Sequence, residues 1–146
     1  MKQYFSDCLY FTANHLARLM NKMAEEEFAP LGISPTYAFL LMAVYKQPNI
    51  SQSELSNILH IAPSTTTRFV DKLEVKKLVE RKSDGKLTLV NLTDKGIKIQ
   101  EDIKVCWKNL NKRYSEILGD DVAKNITSQT FQAAIEIDST KNSSML

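Results

Sequence analysis

The chain has few of the residues that interrupt or staple a polypeptide. Four glycines, four prolines and two cysteines are spread over 146 positions. So few breakers favour long helices over many short strands. Cys8 and Cys106 are too sparse for a disulfide framework, which makes a reduced, cytoplasmic setting the expectation. Long apolar runs are also missing. The longest, Ala38 to Tyr45, falls far short of the roughly 20 residues a spanning helix needs, so no membrane partner is expected. Asp7 interrupts the apolar start and no small-residue cleavage site follows, so no signal peptide is expected. The two histidines, His15 and His60, lack partners at metal-ligand spacing, and neither a glycine-rich phosphate loop nor a nucleophile elbow occurs. Hence no metal, no cofactor and no enzymatic activity are expected.

The remaining composition, 43% hydrophobic and 25% charged with a net charge of +2, is that of a globular chain of one domain, residues 1–146. The distribution of charge says more than its total. Residues 63–86 carry seven basic and four acidic side chains, whereas residues 1–50 carry four of each. A local basic excess suits a phosphate-binding face, and it equally suits an ordinary solvated one.

Hydrophobic spacing predicts a long helix over 4–29, closed by Pro30-Leu31-Gly32, and a central, buried helix over 35–46 with Ser34 as N-cap and Pro35 at its first position. Ser51-Gln-Ser-Glu54 reads as a capping box in which the Glu54 carboxylate reaches back to the Ser51 N–H. It opens a helix over 52–59 that turns Leu55, Ile58 and Leu59 inward. His60-Ile61-Ala62 is a turn, and Pro63 begins a helix over 63–76 with Phe69, Val70 and Leu73 toward the core. The period then switches to two in Val79–Lys82 and Leu87–Leu92, with Asp84-Gly85 between them as the pair for a type I′ hairpin. Thr93 caps a further helix expected to run to Leu118, and a last helix is expected over 121–137 before a disordered polar tail, 139–146.

A capped helix, a short turn, a second helix with hydroxyls at its start and a basic hairpin is the layout that sets a recognition helix into the major groove of double-stranded DNA. The fold expected is mainly α with a small β-hairpin wing, a winged helix-turn-helix over 35–92. Ser64, Thr65 and Thr67 can donate to phosphates or base edges. Arg68 can grip guanine O6 and N7 with two bonds. Lys72 lies beside them, Arg81 and Lys82 lie on the first hairpin strand, and Lys86 is at its tip, all suited to phosphate or minor-groove contact. Taken singly, each has a local alternative: the hydroxyls as caps, Arg68 as a surface ion pair.

The run LSNILHIAPSTTTRFVDKLEVKKLVER, followed by LTLVNLTDKG, resembles the MarR family of bacterial winged-helix transcriptional regulators. The motifs are S-T-x-T-R, V-D-x-L-E-x-K-x-L-V-x-R and L-T-x-K-G. The upstream segment FAPLGISPTYAFLLMAVY is similar to the family's second-helix region. The resemblance implies that Ser64, Thr65, Thr67 and Arg68 face DNA. It also implies a homodimer joined through helices 1–30 and 93–138, acting as a repressor that a small aromatic or phenolic ligand releases. A cleft for such a ligand would involve Asn14, His15, Arg18 and Tyr37, for which structural roles are an equal alternative. The wing is shorter than the family's usual one and has no arginine beyond Arg81. Lys77 stands where the family usually has glycine: either the helix ends there in a left-handed conformation, at a cost of about 1 kcal/mol for lysine, or it ends with a different geometry. Some relatives sense oxidants through a cysteine near Cys8. The supporting tyrosines would fall here at Thr12 and Lys22, so a buried, inert Cys8 is expected, with Cys106 in dimer-core packing. An oxidant sensor acting through Cys8 and a winged helix used for protein contact are the alternatives.

Overall fold

The computed structural model describes residues 2–143. In chain order it contains α1 (Lys2–Ser6), α2 (Leu9–Phe28), a 3-10 turn (Ala29–Leu31), α3 (Pro35–Lys46), β1 (Ile50–Ser51), α4 (Gln52–Leu59), α5 (Pro63–Val75), β2 (Val79–Asp84), β3 (Leu87–Leu92), α6 (Asp94–Lys98), α7 (Gln100–Leu118) and α8 (Asp120–Ser143). This is the expected mainly helical fold with a β-hairpin wing. The chain divides into two compact units, Met1–Trp107 and Lys108–Leu146. Among the described residues no single helix is long and apolar enough to cross a membrane.

The first unit is built around α3. Leu40, Leu41 and Val44 are fully buried with Phe28, Leu55, Val70, Leu73, Val79, Val90 and Ile103. Ser34 caps α3 by accepting from the Tyr37 N–H, and Pro35 supplies the preset φ of its first turn. A three-stranded antiparallel sheet, ordered β1-β3-β2, flanks this core. The short first strand, absent from the sequence reading, pairs Ile50 with Val90 and Ser51 with Leu89. It is held by a reciprocal amide lock: the Asn49 N–H donates to Asn91 Oδ1 (2.8 Å), and Asn91 Nδ2 donates to Asn49 Oδ1 (2.7 Å).

Several local expectations change. The helix expected over 4–29 breaks at Asp7-Cys8, where Cys8 is the extended N-cap residue of α2. The capping box is half formed: Ser51 Oγ accepts from the Glu54 N–H (3.1 Å), but the Glu54 carboxylate accepts from Gln47 Nε2 (2.8 Å) while Ser51 lies in the β1–β3 ladder. Ile58 is exposed, and Ser56 takes the inward position beside Leu55. The hairpin pairs Asp84 with Leu87, so its two turn residues are Gly85 and Lys86. Gly85 has φ 60° and Lys86 does not share the left-handed region, which fits a type II′ turn and not the type I′ turn expected on Asp84-Gly85. The helix from Thr93 is interrupted at Ile99. The last helix continues to Ser143, so residues 139–143 of the expected tail are helical, and residues 144–146 lie outside the described residues.

The end of α5 settles the Lys77 alternative. Lys77 has φ 61°, its N–H donates to the Glu74 carbonyl (2.9 Å), and the Leu78 N–H donates to the Leu73 carbonyl (2.9 Å). This is a Schellman motif with lysine in the left-handed position, closed by the buried pair Leu73 and Leu78. Thr93 seals the same corner: its hydroxyl donates to the Lys77 carbonyl (2.6 Å) and accepts from the Gly96 N–H (3.1 Å). Gly96 is required here by close approach, since a Cβ would overlap the Leu78 carbonyl oxygen.

A buried hydroxyl pair joins α4 to α5. Ser56 Oγ and Thr66 Oγ1 are 2.7 Å apart, with the Gln52 carbonyl (3.0 Å) and the Ala62 carbonyl (3.4 Å) as further acceptors. Thr66 shares the helical phase of Val70 and Leu73 and so points inward. Urea unfolding of Lys77→Gly is expected to show a gain of about 1 kcal/mol, because glycine removes the left-handed strain; an unchanged or lower midpoint contradicts it. Thr66→Val is expected to cost about 1 kcal/mol. Ser56→Ala should add little on top of it if the two hydroxyls act as a pair, and full additivity contradicts the pairing.

Candidate nucleic-acid interface

α5 begins at Pro63, whose missing N–H costs nothing in a first turn. With Thr66, Val70 and Leu73 buried, the 3.6-residue period sends Ser64, Thr65, Arg68 and Lys72 to the outer side. Ser64, Arg68 and Lys72 are exposed and Thr65 is half-buried. Tyr37 of α3 supports this helix from behind, its ring set edge-on to Phe69 at 4.8 Å between centroids.

The flank of α5 that carries Thr67, Asp71 and Glu74 meets the wing strand. Arg81, on β2, has a side chain only 21% exposed, with its Nη1 2.6 Å from Asp71 Oδ1 and 3.7 Å from Glu74 Oε1. Its Nη2 donates to the Thr67 carbonyl (3.0 Å) and its Nε to Gln52 Oε1 (2.8 Å). The guanidinium therefore binds the wing strand to α4 and α5 at once. Arg81, expected at phosphate or the minor groove, here has its donors engaged within the protein.

The Thr67 hydroxyl is likewise engaged within the chain: it donates to the Pro63 carbonyl (3.1 Å) and accepts from Gln52 Nε2 (3.3 Å). With its proton spent in the helix it has no donor left for a phosphate. Gln52, which sequence reasoning did not single out, bridges Arg81 and Thr67. Nothing local distinguishes it from any exposed residue in the first turn of a helix.

Lys82 and Lys86 are exposed, the first on β2 and the second in the turn beside Gly85. The wing thus presents two ammonium groups, with Asp84 between them in the chain and no free guanidinium. The only arginine on the outer stripe of α5 is Arg68.

Of the residues expected to line a ligand cleft, three lie on α2 and one on α3. Asn14, His15 and Arg18 are exposed on α2, and Asn14 Nδ2 donates back to the Tyr10 carbonyl (2.7 Å). Tyr37 is occupied with Phe69. Three grooves formed by the described residues, at the base of the wing, between α7 and α8 in the second unit and beside Cys8, include none of these four side chains. Cys8 is exposed, contrary to the expected burial, at the junction of α1 and α2. Cys106 is buried, and desolvation raises its thiol pKa, with the carboxylates of Asp102 and Glu27 adding to the effect. It is held as the unreactive thiol.

Comparison with known proteins agrees with this geometry. The MarR family model matches residues 33–86, which contain α3, the helix pair and β2. The HTH-type transcriptional repressor MdtR of Bacillus subtilis (strain 168) is 29% identical over 123 residues, 80% of this chain and 79% of the relative. The uncharacterized HTH-type transcriptional regulator YdgJ of the same organism is 35% identical over 103 residues, 68% of this chain and 61% of the relative. Among solved structures, the transcriptional repressor CouR, known from Rhodococcus jostii RHA1, shares the fold. Its complex with a 23-mer DNA duplex has a TM-score of 0.82 at 22% identity, covering 88% of this chain and 94% of that one. Its complex with p-coumaroyl-CoA has a TM-score of 0.82 at 22% identity, covering 89% of this chain and 94% of that one. From its motifs, its fold and these relatives, the chain belongs to the MarR family of winged helix-turn-helix transcriptional regulators.

Proposed function

We propose that the protein is a homodimeric repressor, working in the cytoplasm, that binds a pseudo-palindromic DNA operator and leaves it when a small organic ligand binds. The observation that carries this reading is the outer stripe of α5. Among the described residues the side chains of Ser64, Thr65, Arg68 and Lys72 have no hydrogen-bond or ion-pair partner, while the opposite face of the helix is locked into the core. Unpaired donors on a rigid helix suit a ligand rich in acceptors, and the base edges and phosphates of a duplex are one.

Each role follows from side-chain chemistry. Arg68 is assigned to base reading, because its planar fork can hold guanine O6 and N7 together. Ser64 and Thr65 hydroxyls and the Lys72, Lys82 and Lys86 ammonium groups are assigned to phosphates, which set register without reading sequence. Two recognition helices in a dimer would enter successive major-groove faces about 34–36 Å apart. Dimerisation is supported by apolar side chains left exposed on the terminal helices: Leu9 at 71% and Tyr10 at 80% on α2, and Phe131 and Ile137 on α8. Small-ligand control is supported by the CouR complexes, which hold DNA in one case and p-coumaroyl-CoA in the other.

Duplex affinity measured across a salt series tests the reading. The logarithm of the binding constant should fall linearly with the logarithm of salt concentration, with a slope of roughly −0.9 per neutralised phosphate. Arg68→Ala should reduce the preference for selected over random duplex by about 1–3 kcal/mol. Lys86→Ala should weaken all duplexes alike and reduce the slope by about 1. No binding, or a response flat in salt, contradicts DNA binding. Capture of a protein partner without salt-dependent DNA binding would favour the protein-contact use of the fold. Uniform loss for Arg68→Ala contradicts its base-reading role alone.

A further inference from the structure

The DNA-facing helix carries two acids as well as its basic stripe. Asp71 and Glu74 lie on the flank of α5 next to Arg68 and Lys72, and their side chains are 57% and 46% exposed. A duplex brings about one phosphate charge per 1.7 Å of its axis against that helix. The Debye length at physiological ionic strength is about 8 Å, so bare carboxylates beside the contact would oppose docking without full screening. Both carboxylates lie against a single cation, Arg81, at 2.6 Å and 3.7 Å.

We infer that Arg81 is a positioning residue for DNA binding: it masks the acidic flank of α5 and fixes the reading stripe relative to the wing, without touching the duplex. The inference rests on the DNA-binding reading above. All three guanidinium nitrogens are engaged, in three directions: Nε on Gln52, Nη2 on the Thr67 carbonyl and Nη1 on Asp71. Swinging out to a phosphate would break all of these bonds and uncover two like charges at the moment of contact. A consequence concerns specificity. With Arg81 committed, the wing keeps only the ammonium groups of Lys82 and Lys86, point charges without the planar fork that reads bases. Sequence discrimination therefore falls to α5.

A charge-neutralisation cycle separates masking from direct contact. Affinities are measured against a duplex that the wild-type protein selects from a random-sequence pool. Arg81→Gln is expected to weaken binding about tenfold or more, since like-charge juxtaposition at an interface is costly. In an Asp71→Asn, Glu74→Gln background there is no acidic flank to mask, and the amide at position 71 still offers an acceptor. There the same Arg81→Gln change is expected to cost less than about threefold. Equal losses in the two backgrounds overturn the inference and make Arg81 a DNA contact. Thermal unfolding of each variant establishes that it is folded. If Arg81→Gln does not fold, Arg81→Lys replaces it: with the charge retained it should bind within about threefold of wild type, whereas a tenfold loss assigns a reading role to the guanidinium itself and overturns the inference. A wild-type protein that selects no duplex from the pool overturns the DNA-binding reading and this inference with it, a result distinct from equal losses in both backgrounds.

Discussion

The Arg81 guanidinium is where the wing, the first helix of the pair and the recognition helix meet. An isolated, exposed ion pair contributes about 0–1 kcal/mol, and by that measure a contact between Arg81 and Asp71 would matter little. Its setting is different. The side chain is mostly buried, and its fork engages a carboxylate, a backbone carbonyl and a side-chain amide on two helices. Such an arrangement defines orientation more than it adds stability. It fixes the outer face of α5, with the Arg68 and Lys72 side chains left free, relative to the flank where Thr67 and Asp71 are tied to Arg81.

The far end of α5 is fixed as firmly. The carbonyls of Lys76, Lys77 and Leu78 accept from Lys95 Nζ (3.1 Å), the Thr93 hydroxyl (2.6 Å) and the Thr93 N–H (3.1 Å). The C-cap carbonyl of α5 and the two carbonyls that follow it are thus taken up by the start of α6, the next helical element. The Gly96 position packs directly on the Leu78 carbonyl. Gln100, buried at the start of α7, donates to the Gly96 carbonyl (3.1 Å) and the Leu41 carbonyl (3.5 Å), extending the chain of contacts to α3. Between these joints and the Ser56–Thr66 pair, the recognition helix is held at its start, its flank and its end.

Much of this was legible in the sequence because it is local. Ser34, Ser51 and Thr93 are N-caps that each accept from the N–H three residues on, as their residue types and spacing predict. The alternation in Val79–Lys82 and Leu87–Leu92 gave the hairpin strands, although not the turn register, because Asp84-Gly85 and Gly85-Lys86 are both acceptable two-residue turns. What the sequence concealed is tertiary. Arg81, Lys82 and Lys86 are equivalent as basic residues on a hairpin, and only the distance from β2 to Asp71 commits one of them inward. Thr65 and Thr67 are likewise equivalent until the Pro63 carbonyl and Gln52 occupy the Thr67 hydroxyl. The periodic apolar positions of α2 could not reveal whether Leu9 and Leu16 face this chain's own core or a partner, since burial on folding and burial on association impose the same spacing.

The account places sequence reading in the major groove, through Arg68, on a helix held in place by Arg81. Methylation interference on a wild-type-selected duplex tests this most directly, because a methyl group on guanine N7 blocks the bidentate bond that the arginine fork requires. The account predicts discrete guanines, one in each of two half-sites about one helical turn apart, whose N7 methylation prevents binding by the wild-type protein and has no effect on binding by Arg68→Ala. Binding that tolerates N7 methylation throughout the duplex, or interference that is unchanged in the Arg68 variant, would contradict it.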